Sequence, residues 1–276
     1  MTSEFLFCDR DFHRIRELIH RHAGIALGAH KREMVYSRIS RRLRQLNLHD
    51  FGAYVDRLEA EQGGAERQAF INSLTTNLTS FFREPHHFPV LARLAGASRQ
   101  PMTVWCAAAS TGEEPYSIAI ALCEALGTRA SGCRIVATDI DTDCLAQAAR
   151  GVFRAERVSA LSPERLKRFF SRGVGANEGH VRVHQELRDM ITFERLNLLD
   201  SQWPVTGPLD AIFCRNVMIY FDKATQRRVL DRFAPLLKPH GLLFAGHSES
   251  ASLVSPEFRS VGQTVYSRIS RTGGEQ

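Results

Sequence analysis

The chain has 276 residues, 43% of them apolar and 24% charged, with a formal net charge of +6. That composition suits a soluble globular protein of one large domain, or one large and one small, and offers no apolar run of the roughly 18 residues a membrane helix needs. Its six cysteines are scattered without a CxxC pair, which excludes the spacings of zinc sites and disulfide frameworks and leaves free thiols.

The opening MTSEFLFCDRDF places acids and an arginine where a signal peptide has its apolar core, so a cytoplasmic location is expected. Residues 1–75 then read as a small all-α domain. Phe12, Ile15, Ile19 and His22 share one helical face, with Asp9 placed as N-cap. After GIALGAHK, a second helix turns Val35, Ile39, Leu43 and Leu46 inward. Its other side carries Lys31, Arg32, Arg38, Arg41, Arg42 and Arg44 against only Glu33. Further helices are predicted near 51–61 and 66–75, joined by short polar connections as in a helical bundle.

From Pro101 the texture changes to strand–helix alternation. Strands are predicted at 102–106, 134–138, 209–214 and 242–245, with helices at 116–126, 142–150 and 223–237. The pattern argues for an α/β fold, a mainly parallel sheet with helices on both faces. Between about 155 and 194 the rhythm breaks. A basic helix (162–170) leads to the turn RGVGANEGH, flanked by alternating segments at 180–184 and 191–193, which predicts a small antiparallel insertion. The final TGGEQ reads as disordered.

Ligands of such folds sit beyond the carboxyl ends of the strands. The first strand runs into AAASTGEEP, whose small residues permit close backbone approach and whose Pro115 suits a first helical turn. The loop lacks the spacings of dinucleotide and phosphate binders. Glu113 and Glu114 would repel phosphate at a helix N-terminus. A cationic, phosphate-free cofactor such as S-adenosylmethionine fits better, against the plainer reading that both acids complement the helix dipole. Asp139, at the end of the second strand, can accept hydrogen bonds from both ribose hydroxyls of an adenosine cofactor. Asp139, Asp141 and Asp143 also resemble the start of a calcium loop, but Cys144 and Arg150 stand where Gly and Glu are required, so no metal site is expected. Asp141 and Asp143 are instead expected to cap the following helix.

Asn197 and Leu198 suit an adenine ring, by hydrogen bonding and by packing. Arg215 and Asn216 close the strand DAIFC; an arginine there needs a partner, since a buried lone charge is costly. The stretch TTNLTSFFRE (75–84) reads, from its residues alone, as a linker with N-capping threonines.

The motifs NLTSFFREPHHFP, AAASTGEEPYSIA, ATDID and FCRNVMIYFDKATQRRVL…LLKPHGLLFAGHSES resemble the CheR family of chemotaxis receptor protein-glutamate O-methyltransferases, over about residues 10–268. The resemblance implies a helical N-terminal domain (1–75) and a Rossmann-like class I methyltransferase domain (76–276), with a β-subdomain inserted at about 155–194. It implies S-adenosylmethionine as cofactor, held by Asn77, Thr79, Arg83, Glu114, Asp139, Asn197, Leu198, Arg215 and Asn216. Arg83 and Tyr220 are implied to lie near the transferred methyl as catalytic residues.

The implied reaction is attack by a receptor glutamate carboxylate on the methyl carbon of the sulfonium. A glutamate of pKa about 4.3 is already ionised at neutral pH, so no general base is required. Catalysis then rests on alignment and on removing water. Receptor methylation regions are helical and acidic, so Lys31, Arg38 and Arg42 are expected to form a complementary stripe, against the plainer reading of a solvated helix face. The β-subdomain resembles a docking module for a receptor C-terminal peptide. A monomer recruited to membrane receptor arrays suffices for all of this. The alternatives are a cofactor-sensing adaptor without activity, a small-molecule methyltransferase and a nucleic-acid methyltransferase. The last is suggested by the basic charge, but it lacks a DPPY-like turn and aromatics interleaved among the basic residues.

Overall fold

In the computed structural model, which describes residues 4–60, 64–249 and 255–269, four helices open the chain. They are α1 (Asp9–Ala23), α2 (Arg32–Leu46), α3 (Phe51–Ala60) and α4 (Ala65–Leu74). Their apolar stripes meet in one core: Phe12, Ile15 and Ile19 of α1 pack with Val35, Ile39 and Leu43 of α2 and with Phe51, Tyr54 and Phe70. His22 and Leu46 lie at its margin, half-exposed. The N-cap of α1 is Cys8, not Asp9: the Cys8 N–H donates to the Asp11 carboxylate at 3.2 Å, and Asp9 is the first helical residue. Gly24, at φ +71°, ends α1 in the left-handed conformation that a β-carbon disfavours.

The rest of the described chain is α/β. In order come α5 (His87–Ala97), β1 (Thr103–Cys106), α6 (Glu113–Leu126), β2 (Arg134–Asp139) and α7 (Thr142–Arg150). Then follow β3 (Val152–Arg154), α8 (Pro163–Phe169), β4 (Phe170–Arg172), β5 (His180–Val183), α9 (Gln185–Arg188) and β6 (Ile191–Arg195). The last elements are β7 (Leu209–Cys214), α10 (Lys223–Phe233), β8 (Leu237–Ala245), β9 (Phe258–Gly262) and β10 (Val265–Arg268).

Seven strands form one sheet in the order β6-β2-β1-β7-β8-β10-β9. All pairings are parallel except those of β10, which runs antiparallel to both neighbours. Side chains alternate across it as strand geometry demands. Val104, Cys106, Ala211 and Phe213 face a core shared with α5 and α6. Trp105, Ile212 and Cys214 face a second core closed by Val229, Leu230 and Phe233 of α10. The strand order reverses between β1 and β7, which opens the crevice where ligands of such sheets bind.

Several sequence expectations change. Ile191–Phe193 is not part of the antiparallel insertion: β6 pairs parallel with β2 at the edge of the main sheet. The small sheet is β3-β5-β4, spanning 152–183, with RGVGANEGH joining β4 to β5. The helix from Lys223 stops at Phe233 rather than Leu237, because Pro235 cannot continue it; a 3-10 turn follows and β8 starts at Leu237. Helix α5 and the β9–β10 pair were not anticipated. TGGEQ lies outside the described residues. No helix among the described residues is long and apolar enough to cross a membrane.

Candidate active site

Beyond Cys106 the chain leaves the sheet through Ala107–Gly112, with Ser110 at φ +48° and Gly112 at φ +101°. A β-carbon on Gly112 would lie 2.9 Å from that of Ala148, so glycine is required where the loop crosses α7. The Ser110 N–H donates to one Asp139 carboxylate oxygen at 2.7 Å, and the Asp141 N–H donates to the other at 2.9 Å. The ends of β1 and β2 are thereby locked together around an acid. Burial pushes the Asp139 carboxyl up to about 6.

This corner is one wall of a cavity of about 360 Å³, within the size range of small-ligand sites. Asn77, Thr79 and Arg83 line it from the linker, Glu114 from the first turn of α6, Asp139 from the end of β2, and Asn197 and Leu198 from beyond the end of β6. Arg215, Asn216 and Tyr220 close it beyond β7. The sequence-predicted cofactor and catalytic residues are thus brought together, although they span 144 positions (220 − 77 + 1).

Glu114 and Arg215 form the buried floor. Arg215 donates to Glu114 at 2.8 Å and to the Arg83 carbonyl at 2.5 Å, and lies 3.5 Å from Glu84. Arg215 is the partnered arginine that the strand end required. Burial raises the Glu114 carboxyl above its ordinary value, and Arg215 partly offsets this. Arg215 Nε, Glu84 Oε2 and His87 Nδ1 are buried without a hydrogen-bond partner. Burial, with Arg215 close by, pushes His87 down to about 3, so its ring is neutral. Among the described residues, Glu84, His86 and His87 could together hold an ion. However, the histidine Nε2 atoms both contact the Thr264 hydroxyl, and the Arg215 cation lies beside Glu84.

Backbone strain concentrates here too. Phe82, Glu84, Ser110 and Asn216 all adopt left-handed φ, between +48° and +59°. Such conformations in non-glycine residues persist where surrounding structure imposes them, commonly at functional sites.

Other assignments are modified. The Asn197 amide donates to the His22 carbonyl at 2.6 Å, and its oxygen accepts from the Leu199 N–H, so it ties the helical unit to the sheet. Asp141, but not Asp143, caps α7, and its second oxygen receives Thr75 Oγ1 and Asn77 Nδ2 at 2.6 and 2.7 Å. The basic stripe on α2 is corrected as well. Arg38 donates to the carbonyls of Ser73 and Thr75, and Arg42 is paired with Glu66, so neither is a free surface cation. Lys31 is exposed and instead borders the cavity.

Sequence reasoning missed the helical unit's share of the wall, which includes Ile25, Leu27, His30 and Met34. The glycines bracketing GIALG were the available signal: the Ala26 N–H within that loop donates to the Tyr220 carbonyl at 2.9 Å.

The donor set fits S-adenosylmethionine. Two acids line the cavity, Asp139 at the end of β2 and Glu114 at the start of α6, together with small residues (Ala107, Ala108 and Ser110) of the loop after β1. Residues 10–75 match the family described as CheR methyltransferase, all-alpha domain, and residues 77–267 match the CheR methyltransferase, SAM binding domain. A chemotaxis protein methyltransferase of Klebsiella aerogenes is 57% identical, with 96% of this chain and 92% of that protein covered. The protein of the same description from Escherichia coli is 56% identical over 96% of this chain and 93% of its own length. Chemotaxis protein methyltransferase 2 of Pseudomonas aeruginosa is 54% identical over 96% and 95%. With both parts of the family matched in sequence and a cavity suited to the cofactor between them, the chain belongs to the CheR family and is an S-adenosylmethionine-dependent methyltransferase.

Proposed function

We propose that the chain methylates glutamate side-chain carboxylates of chemotaxis receptors, forming glutamyl methyl esters for sensory adaptation in the cytoplasm at receptor arrays. The observation that carries this reading is the cavity's construction. An acid-lined α/β wall suits a cationic cofactor, and the opposite wall is a helical unit with exposed Lys31 at the mouth, suited to an acidic macromolecule.

S-adenosylmethionine, when bound, supplies an electrophilic methyl group. Asp139 accepts from the ribose hydroxyls, Glu114 receives the amino group of the methionine end, and Leu198 packs against the adenine, while Asn197 braces that wall through His22. Among the described residues the Arg83 guanidinium makes one hydrogen bond, to the Leu78 carbonyl at 2.9 Å, which leaves most of its fork for a carboxylate at the cavity. Tyr220, on the facing wall, presents a hydroxyl to orient the reacting groups. The acceptor is already a carboxylate, so these residues align and dry the site rather than move protons.

Among the described residues the outer edges of β3 and β4 carry no partner strand, which suits addition of a receptor C-terminal peptide as a further strand. The enzyme would act as a monomer. Purified enzyme, methyl-labelled cofactor and a receptor cytoplasmic fragment test the reading. Label should enter the fragment and be lost when its acceptor glutamates are changed to glutamine. Equal labelling of both forms, or labelling of nucleic acid instead, would contradict it, and saturable cofactor binding without transfer would point to an adaptor.

A further inference from the structure

The exposed residues at the mouth of the cavity divide by character. Leu78 is 77% exposed and Ile219 46%, and among the exposed large apolar side chains of the described residues these two border the cavity. Bordering the same cavity from the helical unit are His30 and Lys31, both exposed, and Lys31 makes no ion pair among the described residues.

Neither apolar residue is exposed through loose backbone. The Leu78 carbonyl is held by Arg83, and Ser110 Oγ donates to the neighbouring Asn77 carbonyl at 3.1 Å. Ile219 sits in the 3-10 turn Met218–Tyr220, anchored by the Met218 N–H on buried Glu249 at 2.7 Å and by Ala26 on Tyr220. Two aliphatic side chains fixed in water beside a site that must exclude water are a surface awaiting cover.

We infer that Leu78 and Ile219 form an apolar rest for the substrate helix, reading aliphatic residues three and four positions from the acceptor glutamate. The inference rests on the proposed acidic helical substrate. On an amphipathic helix, residues at those spacings lie beside the glutamate on one face. Their burial on Leu78 and Ile219 would seal the mouth while the carboxylate enters, with acids on the helix flank facing Lys31. Specificity among receptor glutamates would then depend on apolar neighbours as well as on surrounding charge.

The test is a steady-state titration of a receptor cytoplasmic fragment with full-length Leu78→Ala/Ile219→Ala enzyme, with cofactor Kd measured alongside. The double variant should raise KM for the fragment roughly tenfold, the scale of truncating a central contact pair. Cofactor Kd should move far less. The defect should persist at high salt, whereas that of Lys31→Gln should fade as salt screens it. Leu78→Met/Ile219→Leu should restore KM. A double-variant KM within about twofold of wild type, against the tenfold scale of a lost contact pair, or a loss confined to cofactor Kd, would overturn the inference with the substrate reading intact. Failure of the wild-type enzyme to label the fragment would instead bring down the substrate reading, and this inference with it.

Discussion

Asp139 shows how a single side chain couples site and stability. Its carboxyl is buried at the end of β2, accepts two backbone N–H groups and titrates at about 6 rather than 3.8. Between those values the folded protein keeps a proton that the unfolded chain has released. Its contribution to stability is therefore full below about pH 4 and is lost as pH rises through about 6. Asp139→Asn should flatten that part of the stability–pH curve, while its amide can accept from only one of the two backbone N–H groups. It should also weaken cofactor binding by tenfold or more, on the order of one lost charge-assisted contact. Thermal melts from acid to neutral pH, with a binding isotherm at pH 7, check both; an unchanged curve with unchanged affinity would show that Asp139 neither holds the proton nor meets the ribose.

That an acid at this strand end lines the cavity follows from the α/β alternation alone. Arg215 was legible as a buried cation in need of a partner, but its second neighbour, Glu84, was not. Glu84 is remote in sequence, and its left-handed φ of +55° has no signature in the residue type. Asn197 was read for an adenine contact because nothing local shows that its amide reaches His22, 175 positions away.

Among the elements, α2 separates what charge patterning shows from what packing decides. Six basic residues in a short stretch read as one surface, yet the helix turns Arg38 and Arg42 toward α4. There Arg42 meets Glu66, which also accepts from the buried Tyr54 hydroxyl at 2.8 Å. Arg42→Glu should therefore lower unfolding free energy, by about 2 kcal/mol or more after allowing for partial exposure. Arg41→Glu, at an exposed position, should leave denaturant unfolding unchanged. Equal stability of the two variants would restore Arg42 to the surface.

The helices predicted near 51–61, 66–75 and 142–150 were placed within a residue, those at 116–126 and 223–237 missed one end by three or four, and α5 was missed. Its sequence HFPVLARLAGA is apolar on most sides, and Pro89 reads as a breaker although it sits in the first turn, where proline is tolerated. The strand β6 was misassigned because its partner β2 lies more than fifty residues away. A three-residue alternation looks the same in a hairpin and at a sheet edge.

Across the whole molecule, the cavity exists because the helical unit and the sheet are fastened face to face. Gln68 donates to the Ile140 carbonyl, Asn72 to the Thr142 hydroxyl, and Asn197 to His22, while Ala26 is held by Tyr220. No periodicity in the first 75 residues reveals that Ile25, Leu27 and Met34 complete a wall whose other side is built mainly by loops at the carboxyl ends of the strands. The linker's role was likewise carried by motif resemblance and not by spacing. The enclosed space, lined by Glu114 and Asp139 and bordered by exposed Lys31, suits the proposed pairing of a cationic methyl donor with an anionic acceptor.

The central claim is that the acceptor is a carboxylate and the product an ester. The most direct measurement treats the methyl-labelled receptor fragment with mild base and follows volatile label. Label recovered as methanol, and absent when acceptor glutamates are replaced by glutamine, is the predicted result. Label that stays on the protein through base treatment would place the methyl on nitrogen or carbon and contradict the account.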